Sequence, residues 1–309
     1  LTWVPQHGWG SLRVWPLLVA SAIMLAAFIA NEARAPEAII PLSLFRNPII
    51  AVCSLCSFIL GMGMFGAVIY LPLFMQGVLG TSATQSGNLL TPLLIGAVVG
   101  MIIGGQTLSR TGEYKMLGIL GSILLACGMV MFARMTADTS HGYVVWSMVV
   151  AGVGMGFLQP VYTIAVQNVA PRERMGTATS STIFFRSIGS TVGVAAFGSV
   201  MLTRYHNEFL RLAPPGLPAE AMTYLTNPIL LAQSRPELAA IFMKTPGGLA
   251  MVQPVIASVK TALLLSLQQV FFFGAVVMTV AVLPHLFLKR EPLRSRAAIP
   301  DAPAAAAIH

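Results

Sequence analysis

Arg186 lies ten residues past Gly176 inside a long apolar run. On a helix that is roughly 15 Å along the axis, near the middle of a hydrocarbon core about 30 Å thick. A cation at that depth costs about 2.5–3.5 kcal/mol on translocon scales, so it is expected to face a cavity or a partner rather than lipid. Thr179, Thr182 and Ser190 fall on the same helical face at spacings of three and four, continuing a polar stripe on either side of it. Two roles compete: a structural arginine bonded to helix carbonyls, or a gating or substrate-linked cation. The preceding apolar run adds Gln159, Thr163, Gln167 and Asn168 near one face, with Pro160 able to break the backbone ladder where a cavity offers replacement partners. Hydrogen bonding between helices is the competing role for each glutamine.

All ten Asp and Glu residues, Glu113, Glu173 and Glu208 among them, fall in connectors or the tail. Proton coupling needs a titratable group within the membrane, so a coupling acid is expected outside this sequence, and with no acid in the spans the partner of Arg186 is expected outside it too, or to be an anion or water. His7, His141, His206 and His285 lie outside the runs or at their ends, and none is placed to activate a buried serine for hydrolysis. Cys53, Cys56 and Cys127 sit inside apolar runs. A single CSLC without a second ligand pair reads as small buried apolar side chains, so neither a metal nor another cofactor is expected.

These residues need membrane-spanning helices to position them. The chain is 56% hydrophobic and 9% charged, against about a quarter charged in soluble domains. Seven spans are expected, near 12–30, 48–71, 82–108, 115–134, 143–168, 176–202 and 261–287. The net charge of +8 comes from Lys and Arg in the gaps between spans, not from a basic patch, so no nucleic-acid partner is expected. Arg34, Arg46, Arg110, Lys115, Arg172, Arg174, Lys289 and Arg290 gather on one side, making the C-terminus cytoplasmic and the N-terminus external. The connector 203–260 is long enough to be external despite its charges, with AEAMTYL and PELAAIFM as amphipathic helices broken by PPGLP and TPGG. Three parts follow: 1–47 with one span and a linker, 48–287 as a six-helix bundle, and 288–309 as a disordered Pro- and Ala-rich tail. The sequence opens on Leu1 without a signal segment and is expected to be truncated there.

The third span reads TPLLIGAVVGMIIGGQTLSRTGEYK, with Gly96, Gly100 and Gly104 at four-residue intervals. Such a smooth face lets another helix approach closely, either as static packing or as a sliding surface for a moving bundle. The end of the span resembles the signature loop of the major facilitator superfamily: Gly, three residues, Asp, Arg, one residue, Gly, then basic residues. Gly105, Ser109, Arg110, Gly112 and Lys115 match it, with Ser109 in place of the acid. Gly112 suits a tight turn, and the two cations can pair with carbonyls at helix C-termini or with a carboxylate. The stretch AGVGMGFLQPVYTIAVQNVAPRERMGTATSSTIFFRSIGSTVGVAAFG is similar to drug:proton antiporters of the fourteen-helix branch, where a Gly-rich helix ends in QN, a PRER-like loop follows and the next helix carries FFR.

That resemblance implies an all-α membrane protein in which 12–30 is an extra central helix and 48–287 the C-terminal half of the transporter. It implies proton-coupled export of drugs or other small amphipathic compounds by alternating access, in a bacterial inner membrane. The implied partners are the substrate, protons, the bilayer, a missing N-terminal six-helix half and a periplasmic adaptor. Three-plus-three inverted repeats would make the spans at 48–71 and 143–168 equivalent and cavity-lining. A seven-helix receptor or retinal protein is the alternative, but a retinal protein needs a lysine deep in its last helix, and Lys260 lies only at the outer edge.

Overall fold

The computed structural model describes residues 14–32, 34, 41–81, 90–245 and 248–288. The expected tail lies outside them from residue 289 onward, as do the cations Lys289 and Arg290 that helped set the orientation and the first part, 82–89, of the third expected span. The helices are α1 (Val14–Glu32), α2 (Pro48–Gly77), α3 (Thr91–Thr111), α4 (Tyr114–Ala133), α5 (His141–Val169), α6 (Met175–Leu212), α7 (Ala219–Leu225), α8 (Pro228–Gln233), α9 (Arg235–Lys244), α10 (Gly248–Val280) and α11 (Val282–Leu286). Six of the long helices, α10 running on through α11, are apolar enough to cross a membrane. The protein is all-α and membrane-spanning.

Local chemistry fixes several ends. The Asn47 side chain accepts from the Ile49 amide at 2.9 Å with Pro48 at the first helical position, so α2 starts there. Ser140 caps α5 by accepting from the Tyr143 amide at 3.4 Å. Gly112 ends α3 in the left-handed region, φ 69°, and its N–H donates to the Leu108 carbonyl.

Helix pairing follows an interleaved plan. If α2, α3 and α4 form a first triplet and α5, α6 and α10 a second, α2 packs on α6 and α5 on α3; α4 lies against α5 and α10 against α2. The two first helices touch each other, as do the two third helices. One asymmetry remains: α6 packs broadly on α10, while α3 and α4 barely touch. The α1 helix stands mostly exposed and meets the bundle where Phe28 approaches Phe184, ring centroids 6.4 Å apart.

The expected external loop is shorter than its sequence suggested. Residues from Thr203 to Leu212 continue α6, and those from Gly248 to Lys260 belong to α10, so the connector between the two long helices is 213–247. At 38 and 33 residues, these helices are roughly 57 and 50 Å long and overrun a core of about 30 Å. Glu208 is therefore helical, 4% exposed, and paired with Arg204 at 2.7 Å and Arg211 at 3.8 Å. Above the bundle, α7, α8 and α9 form an ordered cap: Tyr205 donates to the Leu225 carbonyl at 3.0 Å and Ser258 to the Leu212 carbonyl at 2.8 Å. AEAMTYL is α7 and PELAAIFM lies within α9, as their amphipathic composition suggested. Cys53 and Cys56 are buried, but Cys127 is exposed on the outside of α4, which corrects the expectation for that thiol.

Candidate functional site

The partly accessible residues of the second half of α5 include Gln159, Pro160, Thr163, Ile164, Gln167 and Asn168, whereas Val161, Tyr162, Ala165 and Val166 are buried. One face of this helix thus looks away from the bundle core and carries polar side chains, as the sequence spacing implied. Across from it on α6, the Arg186 guanidinium donates through Nη1 to Gln159 Oε1. Arg186 is only half-buried, so donors beyond that bond stay accessible. Toward the α5–α6 turn at the end of the same seam, Gln167 donates through Nε2 to Thr179 Oγ1 at 3.3 Å. Thr163 turns inward on its own helix, donating to the Gln159 carbonyl at 3.2 Å. Thr182 is 4% exposed and donates to the Thr179 carbonyl, which puts it in the α6 packing and not on the accessible face beside Arg186. Ser190 likewise donates to its own helix, at the Ser187 carbonyl.

Next to this polar seam, α2 presents an apolar one. Leu55, Phe58, Met62, Phe65 and Ile69 recur at spacings of three and four on its accessible side. The arrangement offers one cation held by an amide, flexible hydrogen-bonding groups, and a wall of aromatic and thioether side chains that suits apolar molecules of varied shape. Among the described residues, no group of three His, Cys, Asp or Glu side chains is close enough to hold a metal ion.

The glycine face of α3 is consumed inside the bundle. A methyl group on Gly96 would come 2.8 Å from the Val149 carbonyl oxygen, and one on Gly100 2.5 Å from that of Val153, both on α5. Gly104 packs on Phe157, and Gly152 and Gly156 of α5 return the approach against Leu93 and Ala97. In the interleaved plan the counterpart contact is α2 on α6, sealed by Gly61, Gly189 and Gly193. The face that α3 leaves open is instead apolar, with Leu94, Ile95, Val98 and Ile102 all exposed.

At the opposite end from the cap, the α3–α4 turn matches the resemblance in shape and not in charge. Ser109 donates back to the Gln106 carbonyl at 2.9 Å and so bonds within its own helix. Gly105 has open space around it, and Arg110 is exposed. Lys115 donates to the Leu286 carbonyl at 2.6 Å, locking the turn to the end of the last helix.

One buried polar cluster escaped the sequence. His285, 0% exposed, has Nδ1 2.6 Å from the Ala281 carbonyl oxygen and Nε2 3.1 Å from Tyr162 Oη, with Cys56 Sγ 3.8 Å from Nδ1. These contacts assign the proton to Nδ1, which donates to Ala281, and leave Nε2 to accept from tyrosine. The cluster ties α2, α5 and α11 together. Its members lie 123 and 229 residues apart in the chain, and no local pattern announces them.

The family model described as Major Facilitator Superfamily matches residues 6–194. Among curated proteins, the chain is 33% identical over 301 residues to "Multidrug transporter protein MdtP" of Bacillus subtilis, covering 95% of this chain and 56% of that protein. It is 37% identical over 195 residues to "Tetracycline resistance determinant" of Streptomyces rimosus, covering 63% of this chain and 56% of that protein. The chain spans about half the length of these curated relatives. In architecture it is similar to the crystal structure of a bacterial homolog of the human lysosomal transporter Spinster, with a TM-score of 0.55 and 19% identity over 79% of this chain and 50% of that one. With the family pattern matched over most of the chain and the same helical architecture recovered, this chain belongs to the Major Facilitator Superfamily.

Proposed function

We propose that this chain is the C-terminal half of a fourteen-helix drug exporter, with α1 as one of the extra central helices and the remaining long helices as the C-terminal bundle. The observation that carries the reading is the Arg186 to Gln159 bond on an accessible polar seam beside an apolar wall. The names of the relatives, a multidrug transporter and a tetracycline resistance determinant, support small-molecule export. Their greater length leaves room for a second bundle, whose rocking against this one would give alternating access. No Asp or Glu lies in the described stretch of α6 that surrounds Arg186 or on the seam of α5, so the proton-carrying carboxylate belongs to the other bundle. The cap lies on the external face and the Gly112 turn in the cytoplasm, with the inner membrane of a bacterium as the location.

The test is drug efflux from cells that express the complete transporter at matched membrane levels. Arg186→Ala is expected to abolish efflux while the protein still reaches the membrane, and Arg186→Lys to keep part of the activity. Wild-type efflux by Arg186→Ala would refute the site. Failure of that variant to insert would instead make Arg186 a structural group.

A further inference from the structure

Beyond the membrane end of α2, the cap encloses a second concave surface that the transport reading does not use. The walls are α9 and the first half of α10; Leu225 and Leu231 close the back and Gly77 forms the floor. Its volume is about 530 Å3, within the roughly 300–1,000 Å3 typical of small-molecule pockets. Phe242 and Val255 line it as buried side chains, while Met243 and Ile256 form an apolar rim, 75% and 53% exposed. Large apolar side chains left open around a cavity mark an interaction site.

The lining carries a single charge, Lys260. A methyl group on Gly77 would touch Leu263, one turn further along α10, so Lys260 sits at the membrane-facing floor of the pocket and the apolar walls rise away from the bilayer. From Thr261 to Val280 α10 carries no charged residue, which places Lys260 at the level of the headgroups.

We propose that this pocket binds single-chain anionic amphiphiles, with the anionic end on Lys260 and the apolar chain lifted out of the bilayer into the cap. An apolar enclosure selects an alkyl or aromatic body, and one cation without an acidic lining partner selects an anion over a cation. A diacyl phospholipid is too large for the cavity, so the occupant has one chain. The inference concerns a surface separate from the Arg186 seam and does not depend on the transport reading.

Binding of 11-(dansylamino)undecanoic acid and of a dansylated alkylamine to the 309-residue chain in nanodiscs of zwitterionic lipid tests it. The carboxylate probe is expected to bind roughly tenfold or more tighter than the cationic one. Lys260→Glu, at an exposed position, should reverse that preference. Ala239→Trp, which fills the pocket from an exposed lining position, should weaken both probes. Unchanged binding in Ala239→Trp would overturn the pocket, and an unchanged preference in Lys260→Glu would overturn the anionic class. A diazirine-bearing fatty acid gives a readout on the unaltered chain: adducts in α9 or the first half of α10 are expected, and adducts confined to the lipid-facing sides of α3 and α4 would reject the site.

Discussion

His285 and Tyr162 are 0% and 4% exposed, so neither can turn to water if the other is altered. Tyr162→Phe removes the donor and leaves Nε2 a buried acceptor without a partner, which costs about 1–3 kcal/mol. A lowered midpoint in thermal unfolding of the purified protein is the expected result; an unchanged midpoint would show that the cluster is not closed as described. Arg186 and Gln159 each stood out in the sequence as a polar group among apolar neighbours, but their pairing did not. The partner of Arg186 was expected outside the chain, and helical spacing does not say which helices face one another, whereas the bond is made to Gln159 of the same bundle. The Tyr162 to His285 bond was not legible either. His285 comes at the end of a span, where a histidine is unremarkable, and its partners are fixed by a fold the local sequence does not describe. Thr182 shows the limit of spacing arguments, since a position three or four residues from an accessible one can still turn into the packing.

Helix interiors were easier to read than helix ends. Each of the six long spans beyond α1 overlaps a helix, with 82–89 of the third lying outside the described residues, yet α6 and α10 run well past the apolar boundary because residues such as Thr203, Asn207 and Glu208 favour neither lipid nor a turn and simply extend the helix. Hydropathy marks where a helix leaves the membrane, not where it stops. The Gly100 contact belongs to this scale. A side chain there meets the backbone of Val153, which cannot swing aside, so Gly100→Leu must separate α3 from α5. Overpacking of this kind costs about 1–3 kcal/mol, and the variant should melt earlier than the parent. Gly105→Ala on the same helix has open space around it and should be neutral or stabilising by roughly 0.5–1 kcal/mol. Equal melting of the two variants would reject the close approach of α3 and α5.

Across the whole molecule, orientation is the property that charge asymmetry sets and geometry constrains. The Gly112 turn and the cap lie at opposite ends of the bundle, so an impermeant thiol reagent applied to intact cells should reach one and not the other. Gly112 and Gly216 hold φ of 69° and 85°, where a cysteine would be strained. Thr111→Cys and Glu220→Cys, both at exposed positions, are better reporters once Cys127 is replaced. Glu220→Cys is expected to react and Thr111→Cys to stay protected; the reverse pattern would invert the topology.

The interleaving of the two triplets also bears on how the chain is made. Gly61 finds its seat only against the backbone of Arg186 and Ser190, and the intervening residues take roughly 6–25 s to synthesise at about 5–20 residues per second. Throughout that interval α2 sits in the bilayer with its close-packing face open to lipid or to whatever helix a neighbouring chain offers. The first triplet is therefore a provisional tenant of the membrane, and the emergence of α6 is the moment at which the bundle can close.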